Sequence, residues 1–272
     1  MLASFLLALR EGIEAALIIG IIFGVLRKMN KADLKGVVWR AVAAAAGLSL
    51  LAAVILNVAG TEFEGMGEQI FEGFAMLLAA ALLTWAIFWM RKQSRSVQKD
   101  IEEDVRAAAD STSTGTLFAL SFLAVAREGL ELSLFLLAAR FTSTPLNTYF
   151  GAIFGLTTAS LLGWLLFRST IKLDIKQFFR ITNIMLALFA AGLVGYGIHE
   201  FNEAGLIPAL IAPIYNINHL LDDNGPFGLL LKTLFGYNGN PSLSETIAYL
   251  GYFISLGLIL WLVPSRKKIK AN

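Results

Sequence analysis

The sequence predicts an all-α integral membrane protein of seven transmembrane helices, built as two inverted three-helix repeats plus a seventh helix, with the N-terminus outside and the C-terminus cytoplasmic. Three observations predict it: an apolar composition, a one-sided distribution of basic residues, and a charged pentapeptide that occurs twice. Of 272 residues, 57% are hydrophobic and 15% charged, and the mean hydropathy is +0.68, well above the apolar share of a soluble domain. The chain is expected to be a multi-pass protein of the cytoplasmic membrane.

Seven apolar stretches have the length of a bilayer crossing, at 2–26, 38–58, 70–90, 116–139, 148–167, 181–200 and 245–264. The first is expected to stay as a span, because Met1 to Leu9 lacks the basic stretch of a signal peptide and its charges fall inside the apolar run. Arg27, Lys28, Lys31, Lys35 and Arg40 follow the first stretch, and Arg91, Lys92, Arg95, Lys99 and Arg106 follow the third. Arg168, Lys172, Lys176 and Arg180 follow the fifth, and Arg266, Lys267, Lys268 and Lys270 form the tail. Only Arg140 and Lys232 fall on the opposite side, so the positive-inside rule sets the orientation. Trp39, Trp85, Trp89, Trp164 and Trp261 all sit near expected cytoplasmic helix ends, as headgroup anchors do. The net charge of +2 reflects this polarity and does not point to nucleic acid.

The doubled pentapeptide is Arg10-Glu11-Gly12-Ile13-Glu14 in the first stretch and Arg127-Glu128-Gly129-Leu130-Glu131 in the fourth. Each charge at the centre of a membrane helix costs about 2.5–3.5 kcal/mol on insertion scales, so these groups must pair or face a polar path. Three crossings separate the copies, which inverts the second. The expected division is 1–92 for the first repeat, 113–200 for the second, 201–244 for an exoplasmic segment and 245–264 for the last helix, all within one membrane domain. Inverted repeats place a substrate site near the midplane, and Glu14 and Glu128 both fall near the middle of their stretches.

In each copy the glutamates are spaced i,i+3 and the arginine is i,i+4 from the second glutamate, so one helix face carries two carboxylates with a guanidinium alongside. Gly12 and Gly129 leave room for a neighbouring helix. Glu11, Glu14, Glu128 and Glu131 against Arg10 and Arg127 sum to a charge of −2 when ionised, which a divalent cation would neutralise. Carboxylates are hard ligands suited to iron, manganese, magnesium or calcium, and the chain has no cysteine to offer a thiolate route. If the six charges were only a lock between two helices, two glutamates would have to stay protonated.

Outside the motifs, the exoplasmic segment 61–72 holds Glu62, Glu64, Glu68 and Glu72 and no basic residue. Glu64, Glu68 and Glu72 recur every four residues and would form one acidic stripe if the third helix starts early, concentrating cations at its mouth. His199, Glu200 and Glu203 end the sixth stretch on the same side as a second candidate vestibule. The apolar pieces 205–214 and 226–235 are too short to span and read as interfacial or re-entrant helices, and Asp222-Asp223-Asn224-Gly225 reads as a turn. Residues Gln98 to Asp110 read as a solvated surface helix, and Ser111 to Gly115 as a flexible link. Gly20-x3-Gly24 and Gly151-x3-Gly155 permit close helix packing, inside the chain or between copies.

The doubled motif resembles that of the oxidase-dependent iron transporter family, which includes fungal high-affinity iron permeases and bacterial EfeU-type permeases. The bacterial branch is the more similar. Ala126-Arg127-Glu128-Gly129-Leu130-Glu131, Phe71-Glu72-Gly73, Trp85-x-x-Phe88-Trp89-Met90-Arg91-Lys92, the segment from His199 to Leu206 and Phe235-Gly236-Tyr237 resemble its segments in the same order, across almost the whole chain. The resemblance implies iron uptake by a permease with no enzymatic step and no organic cofactor, with Glu11, Glu14, Glu128 and Glu131 as iron ligands. It also implies extracytoplasmic iron-oxidising or iron-binding partner proteins. Ile13 stands where the family motif usually has leucine. Two other classes stay open from the residues: a membrane diiron-carboxylate enzyme, which would want Glu-x-x-His ligands, and another divalent-cation or proton-coupled carrier. The valence of the iron is not set by the motif, since protonation or local water would accommodate Fe3+ as well as Fe2+.

Overall fold

The computed structural model describes residues 1–59, 64–93, 97–110, 114–141, 143–168, 175–223 and 225–262. Among them the chain is helical and contains no strand. Its helices are α1 (Leu2–Lys28), α2 (Lys35–Ala59), α3 (Met66–Gln93), α4 (Val97–Asp110), α5 (Thr114–Phe141), α6 (Pro145–Arg168), α7 (Ile175–Glu203), α8 (Pro226–Phe235) and α9 (Leu243–Leu262), with a 3-10 turn at Ala32–Leu34. Among the described residues, five stretches are long and apolar enough to cross a membrane: Ala32–Val58, Met66–Phe88, Pro145–Leu166, Gln177–Glu203 and Leu243–Leu262. Helices α1 and α5 have the length to do so, at 27 and 28 residues, but each is interrupted by the charged pentapeptide. Trp39, Trp85, Trp164 and Trp261 are exposed, as rings against lipid and headgroups would be. The side chain of Trp89, Glu62, the link 111–113 and the basic tail lie outside the described residues.

The ends of the helices follow from local sequence. Helix α1 closes with Asn30 in the left-handed region at φ 56°, where the Lys31 N–H donates to the Leu26 carbonyl and the Asn30 N–H to the Arg27 carbonyl, the double bond of a Schellman turn. Helix α8 opens on Pro226 and stops at Gly236, whose φ is 67°. Helix α9 opens on a reciprocal cap: the Glu245 N–H donates to Ser242 Oγ at 3.2 Å and the Ser242 N–H to Glu245 Oε1 at 3.3 Å.

The chain divides into two compact units, Met1–Phe63 with Ser94–Ile184, and Glu64–Gln93 with Met185–Asn272. The first is organised by two helix pairs, α1 with α6 and α2 with α5, which make its most extensive contacts. Both pairs rest on small residues. Along α6, Gly151, Gly155, Ala159 and Gly163 share one face, and they meet Ser4, Ala8, Gly12 and Ala16 of α1 in the same order, so the two helices run parallel. A Cβ at Gly155 would lie 2.5 Å from the Phe5 carbonyl oxygen, and one at Gly12 would lie 2.6 Å from the Ala159 Cβ. In the second pair Gly129 of α5 accepts Ser49 of α2, where a Cβ would come within 2.8 Å of the Ser49 Cβ. Ser133 Oγ donates to the Ser49 carbonyl at 2.9 Å, and Arg140 hydrogen-bonds Asn57 further along, so this pair is also parallel. Without a hydrophobic drive between helices in lipid, such backbone approach supplies the van der Waals contact that holds them.

The C-terminal part of α1 and the N-terminal part of α5 meet in one apolar cluster, so these two helices run in opposite senses. Ile22, Val25 and Leu26 pack there with Val38 of α2, Leu117 of α5 and Val105, Ala108 and Ala109 of α4. Helix α4 is therefore more than the solvated surface helix expected from its mixed charge. Its apolar side is buried, and Lys31 Nζ latches its end by donating to the Ala109 carbonyl and to Asp110 Oδ1, each at 2.7 Å. The Gly151-x3-Gly155 pattern is taken up inside the chain by α1, whereas a Cβ at Gly24 would meet nothing within 4 Å.

In the second unit α3 and α7 run antiparallel and approach at paired glycines. A Cβ at Gly73 would lie 3.1 Å from the Gly197 carbonyl, and one at Gly197 would lie 3.2 Å from the Gly73 carbonyl. Thr84 Oγ1 and Tyr252 OH, 2.9 Å apart, tie α3 to α9. Of the two short apolar pieces after α7, 226–235 is the helix expected, but 205–214 is not helical. Pro208 and Pro213 each remove a donor and Gly205 sits at φ 73°, so apolar composition there does not become a helix. The Gly225 N–H donates to the Asp222 carbonyl at 2.9 Å, the expected turn, with Asn224 outside the described residues.

Gly155→Leu should cost at least about 2 kcal/mol, because the clash is with α1 backbone that no rotamer change relieves. Gly24→Ala should be neutral or stabilise by up to about 1 kcal/mol through helix propensity. Thermal unfolding of the two purified variants in detergent, against the parent chain, checks both signs.

Candidate metal centre

Helices α1 and α5 bring the two charged motifs together within the first unit. Ligand oxygens of Glu11, Glu128 and Glu131 all lie within 4.8 Å of one another. Three of the four motif glutamates thus converge. The fourth, Glu14, directs Oε1 toward Arg10 Nη2 at 3.1 Å, an ion pair by distance without the angle of a hydrogen bond. Arg10 also donates from Nη1 to Glu11 Oε1, so one guanidinium bridges both glutamates of its own helix. Arg127 Nε donates to Glu131 Oε1 at 2.9 Å, one helical turn on.

The two arginines occupy unlike settings although their motifs match. The Arg10 side chain is 1% exposed and that of Arg127 35%. Both motif helices are backed at their glycines, α1 by α6 and α5 by α2. Burying a guanidinium with two carboxylates is costly unless each group keeps its partners. Within this group Glu11 Oε2 is buried and has no hydrogen-bond partner among the described residues. A buried carboxylate oxygen left without a partner costs about 1–3 kcal/mol. A cation between the three carboxylates would relieve it, and their oxygens are donors of the hard kind that iron, manganese, magnesium and calcium accept.

The acidic residues read from the sequence as a vestibule all belong to the second unit. Helix α3 begins at Met66, so Glu68 and Glu72 share a helical face, while Glu64 precedes the helix and the stripe is two residues long instead of three. Glu68 is exposed and Glu72 half-buried. Glu203 is engaged, accepting from Gln69 Nε2 at 3.1 Å and lying 3.3 Å from His199 Nε2. Glu200, three residues before it, is half-buried. His199 also meets Glu245 through Nδ1 at 3.0 Å. Glu245 is a residue that sequence reasoning missed. It is buried, accepts from Asn238 Nδ2 at 2.8 Å, and joins α9 to the end of α7. Its signal was the Ser242-x-x-Glu245 cap spacing ahead of an apolar run.

A second missed feature extends the repeat. Aligning the motifs aligns Ser4-Phe5-Leu6 with Ser121-Phe122-Leu123, so seven of eleven positions match from Ser4 to Glu14 and from Ser121 to Glu131. Both serines are buried.

A helical membrane protein with acidic side chains converging inside its helices has the make-up of a cation carrier. The family model for the iron permease FTR1 family matches residues 1–266. A protein named ferrous iron permease EfeU from Escherichia coli strain 536 is 37% identical over 274 residues, covering 100% of this chain and 99% of the relative. One of the same name from Yersinia pestis is 36% identical over 268 residues, covering 98% and 95%. No solved structure matches. The chain belongs to the iron permease FTR1 family. It is a multi-pass membrane protein of a family of iron permeases, not of enzymes.

Because Arg10 is sealed against two carboxylates, Arg10→Ala should cost about 3–5 kcal/mol. Arg127→Ala, which breaks one such ion pair where Arg10→Ala breaks two, should cost less. Thermal unfolding of the two variants side by side reads the difference, and equal losses would remove the asymmetry.

Proposed function

We propose that this chain imports ferrous iron across the cytoplasmic membrane through a midplane site made by its two Arg-Glu-Gly-x-Glu motifs. The observation that carries the reading is the convergence of Glu11, Glu128 and Glu131, of which Glu11 keeps a buried oxygen without a hydrogen-bond partner among the described residues. Relatives of full matching length bear the name ferrous iron permease, which favours Fe2+ over Fe3+. With four carboxylates and two guanidinium groups the ionised centre carries −2, and one Fe2+ balances it. Glu11, Glu128 and Glu131 are the first ligands. Glu14 is the fourth, one turn on from Glu11 and held by Arg10.

The proposed frame is seven spans, with α1 and α5 added to the five apolar stretches, the N-terminus outside and the C-terminus in the cytoplasm. Packing supports two inverted repeats. Exchanging α1 for α5 and α6 for α2 turns one parallel pair into the other, each pair built on a motif glycine meeting a small residue, Ala159 or Ser49. The third helices of the two repeats, α3 and α7, meet at their own paired glycines. The repeats are 1–92 and 113–200, followed by the exoplasmic segment 201–244 and the last span 245–264.

Iron held only by hard oxygens does not need redox chemistry from this chain, so oxidation or delivery falls to extracytoplasmic partner proteins. A diiron enzyme is disfavoured because the converging group contains no histidine. Glu68 and Glu72, with Glu64, Glu200 and Glu203, are proposed to raise the local cation concentration at the outer face.

Two measurements on proteoliposomes test this. Glu131→Gln and Glu128→Gln keep volume but remove the anionic ligand, and should lower Fe2+ uptake at least about a hundredfold while the protein still folds. Wild-type rates in both would remove these residues from the pathway. Glu68→Gln with Glu72→Gln should raise the half-saturating iron concentration at low salt, an effect that fades at about 0.15 M salt, where charges are screened beyond ~8 Å. A lowered maximum rate with unchanged half-saturation would instead make them part of translocation.

A further inference from the structure

Ser121 of α5 is fully buried, and its hydroxyl has no hydrogen-bond partner among the described residues. Hydroxyls in apolar helices usually return to the carbonyl four residues back, and most here do: Ser49 to Ala45, Ser133 to Gly129, Ser160 to Leu156 and Ser255 to Gly251. The Ser121 hydroxyl does not turn back to the Leu117 carbonyl. Its counterpart in the repeat, Ser4, is satisfied by the Met1 carbonyl at 2.9 Å. The two serines are therefore equivalent by sequence and different in state.

Position gives the hydroxyl a use. Ser121 precedes Glu128 by seven residues, about two turns, so it lies within about 20° of the same face and about 10.5 Å along the axis. One turn further toward the α5 N-terminus is Leu117, in the cluster with Ile22, Val25, Leu26, Val105, Ala108 and Ala109. An ion leaving the carboxylates along this face meets the serine before it meets that apolar closure. Under the orientation proposed above, this is the cytoplasmic side.

We infer that Ser121 is an oxygen station on the exit side of the carboxylate centre, taking a partly dehydrated hard divalent cation as it leaves Glu128. The inference rests on the permease reading above. The serine supplies a neutral ligand, which suits a step that must release the ion, whereas another carboxylate would hold it. Its twin Ser4 is tied to backbone at the opposite end, so the path is not symmetric about the centre.

The experiment is Fe2+ uptake into proteoliposomes by wild type, Ser121→Ala, Ser121→Val and Ser121→Thr, with Glu128→Gln as the control that removes the centre. Ser121→Ala and Ser121→Val should lower the maximum rate about tenfold with the half-saturating iron concentration unchanged, and Ser121→Thr, which keeps the hydroxyl, should retain most of it. Ser121→Ala at the wild-type rate, the result for a serine that merely holds a buried water, overturns the station. Equal slowing in Ser121→Thr and Ser121→Ala also overturns it, since packing would then be the cause. A wild type that takes up no Fe2+ overturns the permease reading and the station together, which separates that failure from the serine's own.

Discussion

Charge inside apolar helices is the constraint on which the first unit depends. The six ionisable groups of the two motifs sit within the apolar runs of α1 and α5, and in the proposed seven-span frame lipid offers them no solvation, so their helices must face each other and be sealed from behind. Arg10 answers Glu11 and Glu14 within one helix, and Arg127 answers Glu131 within the other. What remains is carboxylate oxygen facing carboxylate oxygen across the pair, an arrangement that repels itself when ionised and attracts a cation for the same reason.

The sealing is done by small residues. Ser4, Ala8, Gly12 and Ala16 on α1 match Gly151, Gly155, Ala159 and Gly163 on α6, and the motif glycine of α5 accepts Ser49 of α2. The glycine within each motif lets a supporting helix reach the backbone beside the glutamates. A packing rule of membrane helices thereby governs the placing of the motif glutamates. The apolar cluster that gathers α1, α2, α4 and α5 closes one end of the same unit, with Lys31 fastening α4 over it.

Much of this was legible in the sequence, for physical reasons that differ from residue to residue. A charged pentapeptide inside an apolar run announces itself because lipid penalises it, and Pro226 and Gly236 bound α8 by backbone chemistry alone. The 205–214 piece misled because hydrophobicity without a periodic pattern does not specify a helix, and Pro208 and Pro213 decide against one. Partner choice was not legible: Gly151-x3-Gly155 marks a face made for close approach but does not say that α1 fills it. Nor could i,i+3 spacing reveal that Glu14 would face Arg10 while Glu11 joins Glu128 and Glu131, since that depends on how α1 is rotated against α5. The serine extension of the repeat and the Ser242-x-x-Glu245 cap were there to be read and needed only alignment of the two motifs and a look at cap spacing.

The unlike settings of Arg10 and Arg127 give the centre a direction that its sequence symmetry lacks. One motif is closed over its charges and the other is partly open, so in the proposed site an arriving ion would compete first with the more accessible pair. The most direct measurement of the central claim is anomalous scattering at the iron absorption edge from crystals of the protein grown with Fe2+. One peak within bonding distance of oxygens from Glu11, Glu128 and Glu131 is the result the account requires. At saturating iron, no peak there, or a peak confined to the surface acids, would contradict it.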